Sequence, residues 1–157
     1  MTGPALRAAD LYHTGIVVPD LEASKAALTE IAGYTWTETL AADMTVRLAD
    51  GDRVLPLRYA YSLDAPHLEL VQEIPGTPWT ATPHRAAHHL GYFCDDVPMT
   101  AKRLQEAGFT MEAAAVIDGV APSVFAYLLD PSGVRIEIVE RSRIPDLAAY
   151  LRSRAAS

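Results

Sequence analysis

The chain has 157 residues, half of them apolar and 21% charged, with a formal net charge of −7 and one cysteine. That is one domain's worth of ordinary globular composition, with too much apolar side chain for disorder. A single cysteine forms no internal disulfide, and the acidic balance with no basic run disfavours a nucleic-acid partner.

Of the 13 basic residues, 11 are Arg and only Lys25 and Lys102 are Lys. No apolar run reaches the roughly 18 residues of a membrane span. The first ten residues lack an apolar segment of signal-peptide length, so a cytoplasmic protein without a membrane partner is expected.

In chain order, the first element is a strand over about 11–18, rich in β-branched residues. Asp20 is placed to cap the helix that follows, in which Leu21, Leu28 and Ile31 recur near helical spacing before Gly33 ends it. Three strand-like stretches come next, at about 35–40, 44–48 with 54–62, and 66–73. Pro75 to Pro83 holds three prolines in nine residues and reads as a linker, about 75–86. A strand at about 88–94 opens the second half, and Asp96 caps a helix carrying Val97, Leu104 and Ala107 before Gly108. Strands follow at about 110–117, 123–129 and 134–140, with Asp130-Pro-Ser-Gly133 as a turn between the last two. A short helix, about 145–154, presents Leu147, Tyr150 and Leu151 on one side.

This order repeats itself. His13-Thr-Gly-Ile-Val-Val-Pro-Asp20 aligns with His89-Leu-Gly-Tyr-Phe-Cys-Asp-Asp96, 76 residues on, and Pro66-His-Leu-Glu-Leu-Val-Gln72 aligns with Val134-Arg-Ile-Glu-Ile-Val-Glu140, 68 residues on. Each half is therefore strand, helix, three strands. Strand alternation puts His13 with Gly15, Glu69 with His67, His89 with Gly91, and Glu137 with Arg135. The opposite faces, including Leu68 and Leu70 or Ile136 and Ile138, are cleanly apolar and belong beneath the helices. The His and Glu faces are expected to line a shared concave surface. A mid-sheet carboxylate is costly to bury unless paired or bound to metal. Two imidazoles and two carboxylates form a ligand set for zinc, nickel, manganese or iron.

Other residues have plainer readings. His88 faces away from His89 and reads as structural, His84 as exposed in the linker, and Cys94 as a small buried hydrophobe. His67 and Arg135 are candidates to orient the carboxylates or meet substrate charge, with a solvated rim as the alternative. Arg47 and Arg58 are candidates for an anionic substrate group. Trp79, Tyr127, Phe125 and Tyr59 are candidates for lining a pocket, with core packing as the simpler role. Asp52 reads as part of a Gly51-Asp52 turn.

The His-x-Gly-Ile-Val-Val-x-Asp-Leu opening, His88-His89-Leu-Gly with Asp96, and Asp130-Pro-Ser-Gly-x-x-Ile-Glu-Ile-Val-Glu140 resemble the vicinal oxygen chelate superfamily. That superfamily includes glyoxalase I, methylmalonyl-CoA epimerase, extradiol dioxygenases, and fosfomycin and bleomycin resistance proteins. The resemblance spans about residues 10–141. It implies an α+β fold in which two βαβββ modules, about 10–74 and 87–141, form a curved mixed-sheet half-barrel around a divalent metal (Zn, Ni, Co, Mn or Fe).

Carried over, the ligands are His13, Glu69, His89 and Glu137. The set is similar to that of bacterial glyoxalase I; the linker and the His88-His89 segment look closer to the epimerases, which typically have Gln where this chain has Glu69. The implied chemistry is removal of a proton next to a carbonyl, with Glu137 and Glu69 moving the proton. An epimerase or isomerase acting on a small molecule leads, ahead of a glyoxalase I-like lyase, an extradiol-type dioxygenase and a non-catalytic drug-binding protein. A homodimer is expected.

Overall fold

The computed structural model describes residues 3–84 and 87–157, so positions 85 and 86 at the end of the expected linker lie outside the described residues. Eight strands and three α-helices follow the expected α+β order. They are β1 (Leu11–Val18), α1 (Leu21–Ala32), β2 (Leu40–Leu48), β3 (Gly51–Tyr61), β4 (Leu68–Gln72), β5 (His89–Cys94), α2 (Val97–Glu106), β6 (Thr110–Ala115), β7 (Phe125–Leu129), β8 (Arg135–Glu140) and α3 (Leu147–Ser153). Hydrogen-bonded neighbours follow the order β1-β4-β3-β2-β6-β7-β8-β5. Two compact units are built from interleaved stretches of chain, and β1, β2 and β3 each contribute residues to both.

Two expectations after α1 are corrected, the first being that 44–48 with 54–62, expected as one stretch, falls in two strands, β2 and β3. The stretch 35–40 is not a strand: Trp36 and Thr37 make only isolated bridges, to Ser62 and Ala155, and the first strand after α1 begins at Leu40. Trp36 there serves packing, buried in the core with its indole N–H donating to the Lys25 carbonyl at 3.2 Å and the Thr29 hydroxyl at 3.1 Å.

The β4 unit comprises His13–Asp43, Pro56–His88 and Asp146–Ser157. Here β4 runs parallel to β1 and antiparallel to β3. The apolar face of these strands packs under α1 as anticipated: Val18, Leu21, Trp36, Ala60 and Leu70 form the core, with Ile16, Leu28, Tyr34 and Leu68 packed against it. The Asp20 carboxylate caps α1 by accepting from Ala23 N at 3.0 Å, and Gly33 ends the helix at φ +72, a left-handed conformation. Gln72, the last residue of β4, pins the start of α1 by accepting from Leu21 N at 2.9 Å and donating to the Pro19 carbonyl at 2.7 Å. Described linker residues are held by local bonds: Trp79 is 1% exposed, Ile74 N donates to its carbonyl, and Ala81 N donates to the Glu73 carboxylate. The C-terminal α3, capped by Asp146, buries Leu151, and the tail after it bonds to Trp36 and Glu38.

The β8 unit comprises Met1–Tyr12, Met44–Leu55 and His89–Pro145. In it β5 and β8 are parallel, while β7 lies antiparallel to both β8 and β6. The core beneath α2 holds Cys94, Val97, Ala101, Leu104, Ala114, Ala126, Leu128, Ile136 and Ile138. Each large apolar side chain buried in this way stabilises the fold by about 1.5–3 kcal/mol before the entropy cost. Asp96 caps α2 through Met99 N at 2.8 Å, with Pro98 in the first turn, where its missing N–H costs no helical bond. The anticipated Asp130 turn is closed by its own carboxylate, which accepts from the backbone N–H groups of Ser132 and Val134 and from the Ser132 hydroxyl.

Candidate metal-binding pairs and neighbouring residues

Register builds the first pair. Parallel pairing sets Gly15 of β1 opposite Glu69 of β4. Glycine has no side chain to stand beside the carboxylate, so the neighbour on that face is His13, two residues earlier. His13 Nε2 lies 3.6 Å from Glu69 Oε1. In the β8 unit the same device recurs, with Gly91 opposite Glu137 and His89 Nε2 3.3 Å from Glu137 Oε2. His13 and His89 are each 2% exposed, Glu69 is 4% and Glu137 7%. Removing carboxylates from water to this extent requires compensating partners. Each of the four residues offers one atom of a kind that ligates a divalent metal.

Aromatic rings flank both pairs. Tyr127 meets the His89 ring edge to face at 5.0 Å, and Tyr61 does the same to His13 at 5.6 Å. Tyr127 was among the sequence candidates; Tyr61 was not. Its signal was available, because Tyr59-Ala60-Tyr61 echoes Phe125-Ala126-Tyr127.

The remaining candidates are each tied to a near neighbour. Arg58 donates to the Asp43 carboxylate at 3.0 Å and to the Leu57 carbonyl at 2.8 Å. His67 Nδ1 lies 3.0 Å from the Ser62 carbonyl oxygen. Arg135 makes a two-pronged bond with Glu112, at 2.6 and 3.1 Å. Trp79 is buried in the loop after β4. Arg47 pairs with Asp52 at the start of β3; hydrogen bonding to the guanidinium holds the Asp52 carboxyl below its usual range. His88 bonds the Pro78 carbonyl through Nε2 and the Gly15 carbonyl through its backbone N–H. Cys94 lies in the α2 core, where burial pushes its thiol up.

Among the described residues, no helix is long and apolar enough to cross a membrane. No curated protein matches the sequence. Solved structures share its fold. A methylmalonyl-CoA epimerase in complex with methylmalonyl-CoA and NH4+ has 19% identity and a TM-score of 0.54, covering 83% of this chain and 92% of its own. A Streptomyces coelicolor methylmalonyl-CoA epimerase variant in complex with 2-nitronate-propionyl-CoA has 19% identity and a TM-score of 0.54, covering 83% and 95%. The Mycobacterium tuberculosis methylmalonyl-CoA epimerase has 20% identity and a TM-score of 0.53, covering 83% and 86%. The family model for the glyoxalase/bleomycin resistance protein/dioxygenase superfamily matches residues 12–127. With most of the sequence inside that match and the duplicated strand-helix-strand order in the structure, the chain belongs to the glyoxalase/bleomycin resistance protein/dioxygenase superfamily.

Proposed function

We propose that the protein is a metal-dependent epimerase or isomerase that removes and returns a proton next to a carbonyl, on a substrate of the methylmalonyl-CoA kind. One observation carries this reading: the same buried His–Glu pair occurs in each half, at the same register against a glycine. In the proposal His13, Glu69, His89 and Glu137 together hold one divalent metal. Two imidazoles and two carboxylates fit such an ion by donor chemistry, and burial of both acids is the cost that a bound cation offsets.

The chemistry supplied by such a metal when bound is Lewis-acid stabilisation of the negative charge that develops on the carbonyl oxygen. Glu137 and Glu69 take up and return the carbon-bound proton, one from each half, so that a proton removed from one face of the carbon is replaced on the other. Their burial keeps bulk water from competing for it. Arg58, His67 and Arg135, each half-buried and steadied by a neighbour, are the proposed polar contacts to substrate. Tyr127 supplies a wall beside His89. The active form in this reading is a cytoplasmic homodimer, for which light scattering should give twice the chain mass.

A glyoxalase I-like lyase is the second reading, favoured by the acid rather than an amide at position 69. Incubation of metal-loaded protein with methylmalonyl-CoA in D2O separates the two. The epimerase reading predicts deuterium at the carbon between the two carbonyls. No incorporation by a metal-loaded protein that instead isomerises a hemithioacetal would establish the lyase.

A further inference from the structure

Each half carries a row of three rings that ends on its histidine. On β3, Tyr59 and Tyr61 stand two residues apart, with rings meeting at 5.8 Å and 83°. Tyr61 then meets His13 at 5.6 Å and 67°. On β7, Phe125 and Tyr127 meet at 5.8 Å and 84°, and Tyr127 meets His89 at 5.0 Å and 80°. Antiparallel pairing sets Tyr61 opposite Glu69 and Tyr127 opposite Glu137, while the outer rings lie opposite Val71 and Val139. Tyr61 and Tyr127 are 5% and 4% exposed. One tyrosine in each half therefore touches the imidazole with its ring and flanks the glutamate through its backbone.

An aromatic stripe in a sheet is ordinary packing. Two rows with the same residue spacing and the same edge-to-face contacts, each ending on a His–Glu pair, are harder to attribute to packing alone. The ring torsion of histidine is broad, with no sharp wells to fix the direction of Nε2. An aromatic ring packed against it edge to face supplies the missing restraint and favours one orientation. Here that orientation directs Nε2 at the glutamate oxygen in both halves.

We propose that Tyr61 and Tyr127 are positioning residues: their rings, rather than their hydroxyls, fix the rotamers through which His13 and His89 present nitrogen to the metal. This rests on the metal reading above.

The test uses cobalt(II) titration followed by visible absorption, together with imidazole nitrogen NMR of the metal-free protein, for Tyr61→Phe, Tyr61→Leu, Tyr127→Phe and Tyr127→Leu. The Phe variants should keep the wild-type cobalt spectrum and affinity. The Leu variants should shift the absorption bands and weaken cobalt binding about tenfold or more. Before any metal is added, they should also broaden the signals of the neighbouring imidazole. If a Leu variant does not fold, Tyr→Met, which keeps bulk without a ring, takes its place with the same expectation.

Leu variants with wild-type cobalt spectra and sharp imidazole signals would overturn the proposal, whatever their melting temperatures. So would Phe variants that lose as much as Leu, since the hydroxyl would then carry the effect. Wild-type protein that takes up no cobalt would refute the metal reading itself, and the metal-free imidazole signals would still decide whether the rings position the histidines.

Discussion

In the β4 unit, α1 buries a single residue, Leu21, whereas α2 of the β8 unit buries Val97, Thr100, Ala101 and Leu104. The Trp79 loop and α3 belong to the β4 unit; the β8 unit has instead the Arg135–Glu112 pair and a charge network of Arg7, Asp10, Asp95 and Arg141. Yet the His–Glu spacings are close, at 3.6 and 3.3 Å, and so are the registers that set them. The two halves differ where helices and loops pack and agree where strands pair. Position at the pair therefore follows sheet register, which the buried-face pattern and the turns between strands set.

The sharpest way to break this likeness is to disable one glutamate at a time. Glu137→Gln and Glu69→Gln should each lower deuterium exchange into the substrate by about 100-fold or more, the range for a lost acid or base. If one variant keeps wild-type exchange, the two halves do not share the proton work.

Core contrast comes next in size. Leu104 of α2, 5% exposed, should cost about 3 kcal/mol on truncation to Ala, whereas the half-buried Leu28 of α1 should cost about 1 kcal/mol, read by denaturant unfolding. Equal losses would mean that the first helix is held as firmly as the second.

The caps should behave alike in both halves. Asp20→Ala and Asp96→Ala each remove one acceptor from a helix start and should cost about 1 kcal/mol apiece.

The smallest effect concerns pH. The Asp130 carboxyl is held below its usual range, chiefly by the Ser132 hydroxyl and then by the backbone N–H of Val134. A depressed carboxyl adds stability above its unfolded-state value and loses it as pH falls through the folded one. Asp130→Asn should thus be slightly less stable than wild type near pH 7, with the difference closing as pH falls below about 4 and the acid decline flattened accordingly. An unchanged acid limb would remove Asp130 from the account.

Much of this architecture could be read from residues. The His-x-Gly openings, the Asp caps and the Asp130 turn are local signals, and local physics decides them. The face assignments followed from alternation alone, because a strand has only two faces. What escaped was set by pairing across the chain. Trp36 and Thr37 look like a strand in isolation, but their partners, Ser62 and Ala155, allow only single bridges. The burial of Trp79 depends on a loop conformation that proline content does not specify. Tyr61 was passed over because only the β3–β4 register sets it opposite Glu69. The Tyr-Ala-Tyr and Phe-Ala-Tyr echo was visible, but its meaning was not.

The central claim is that one His–Glu pair from each half serves a single metal, and metal content per chain tests it most directly. Purified wild-type protein, His13→Ala and His89→Ala, each confirmed folded, would be analysed for bound divalent metal after identical loading. The account predicts about one ion per chain in the wild type and loss of most of it in either variant, since neither pair alone offers more than two of the four proposed ligands. Two ions per chain in the wild type, with either variant keeping one, would show two independent sites and contradict it.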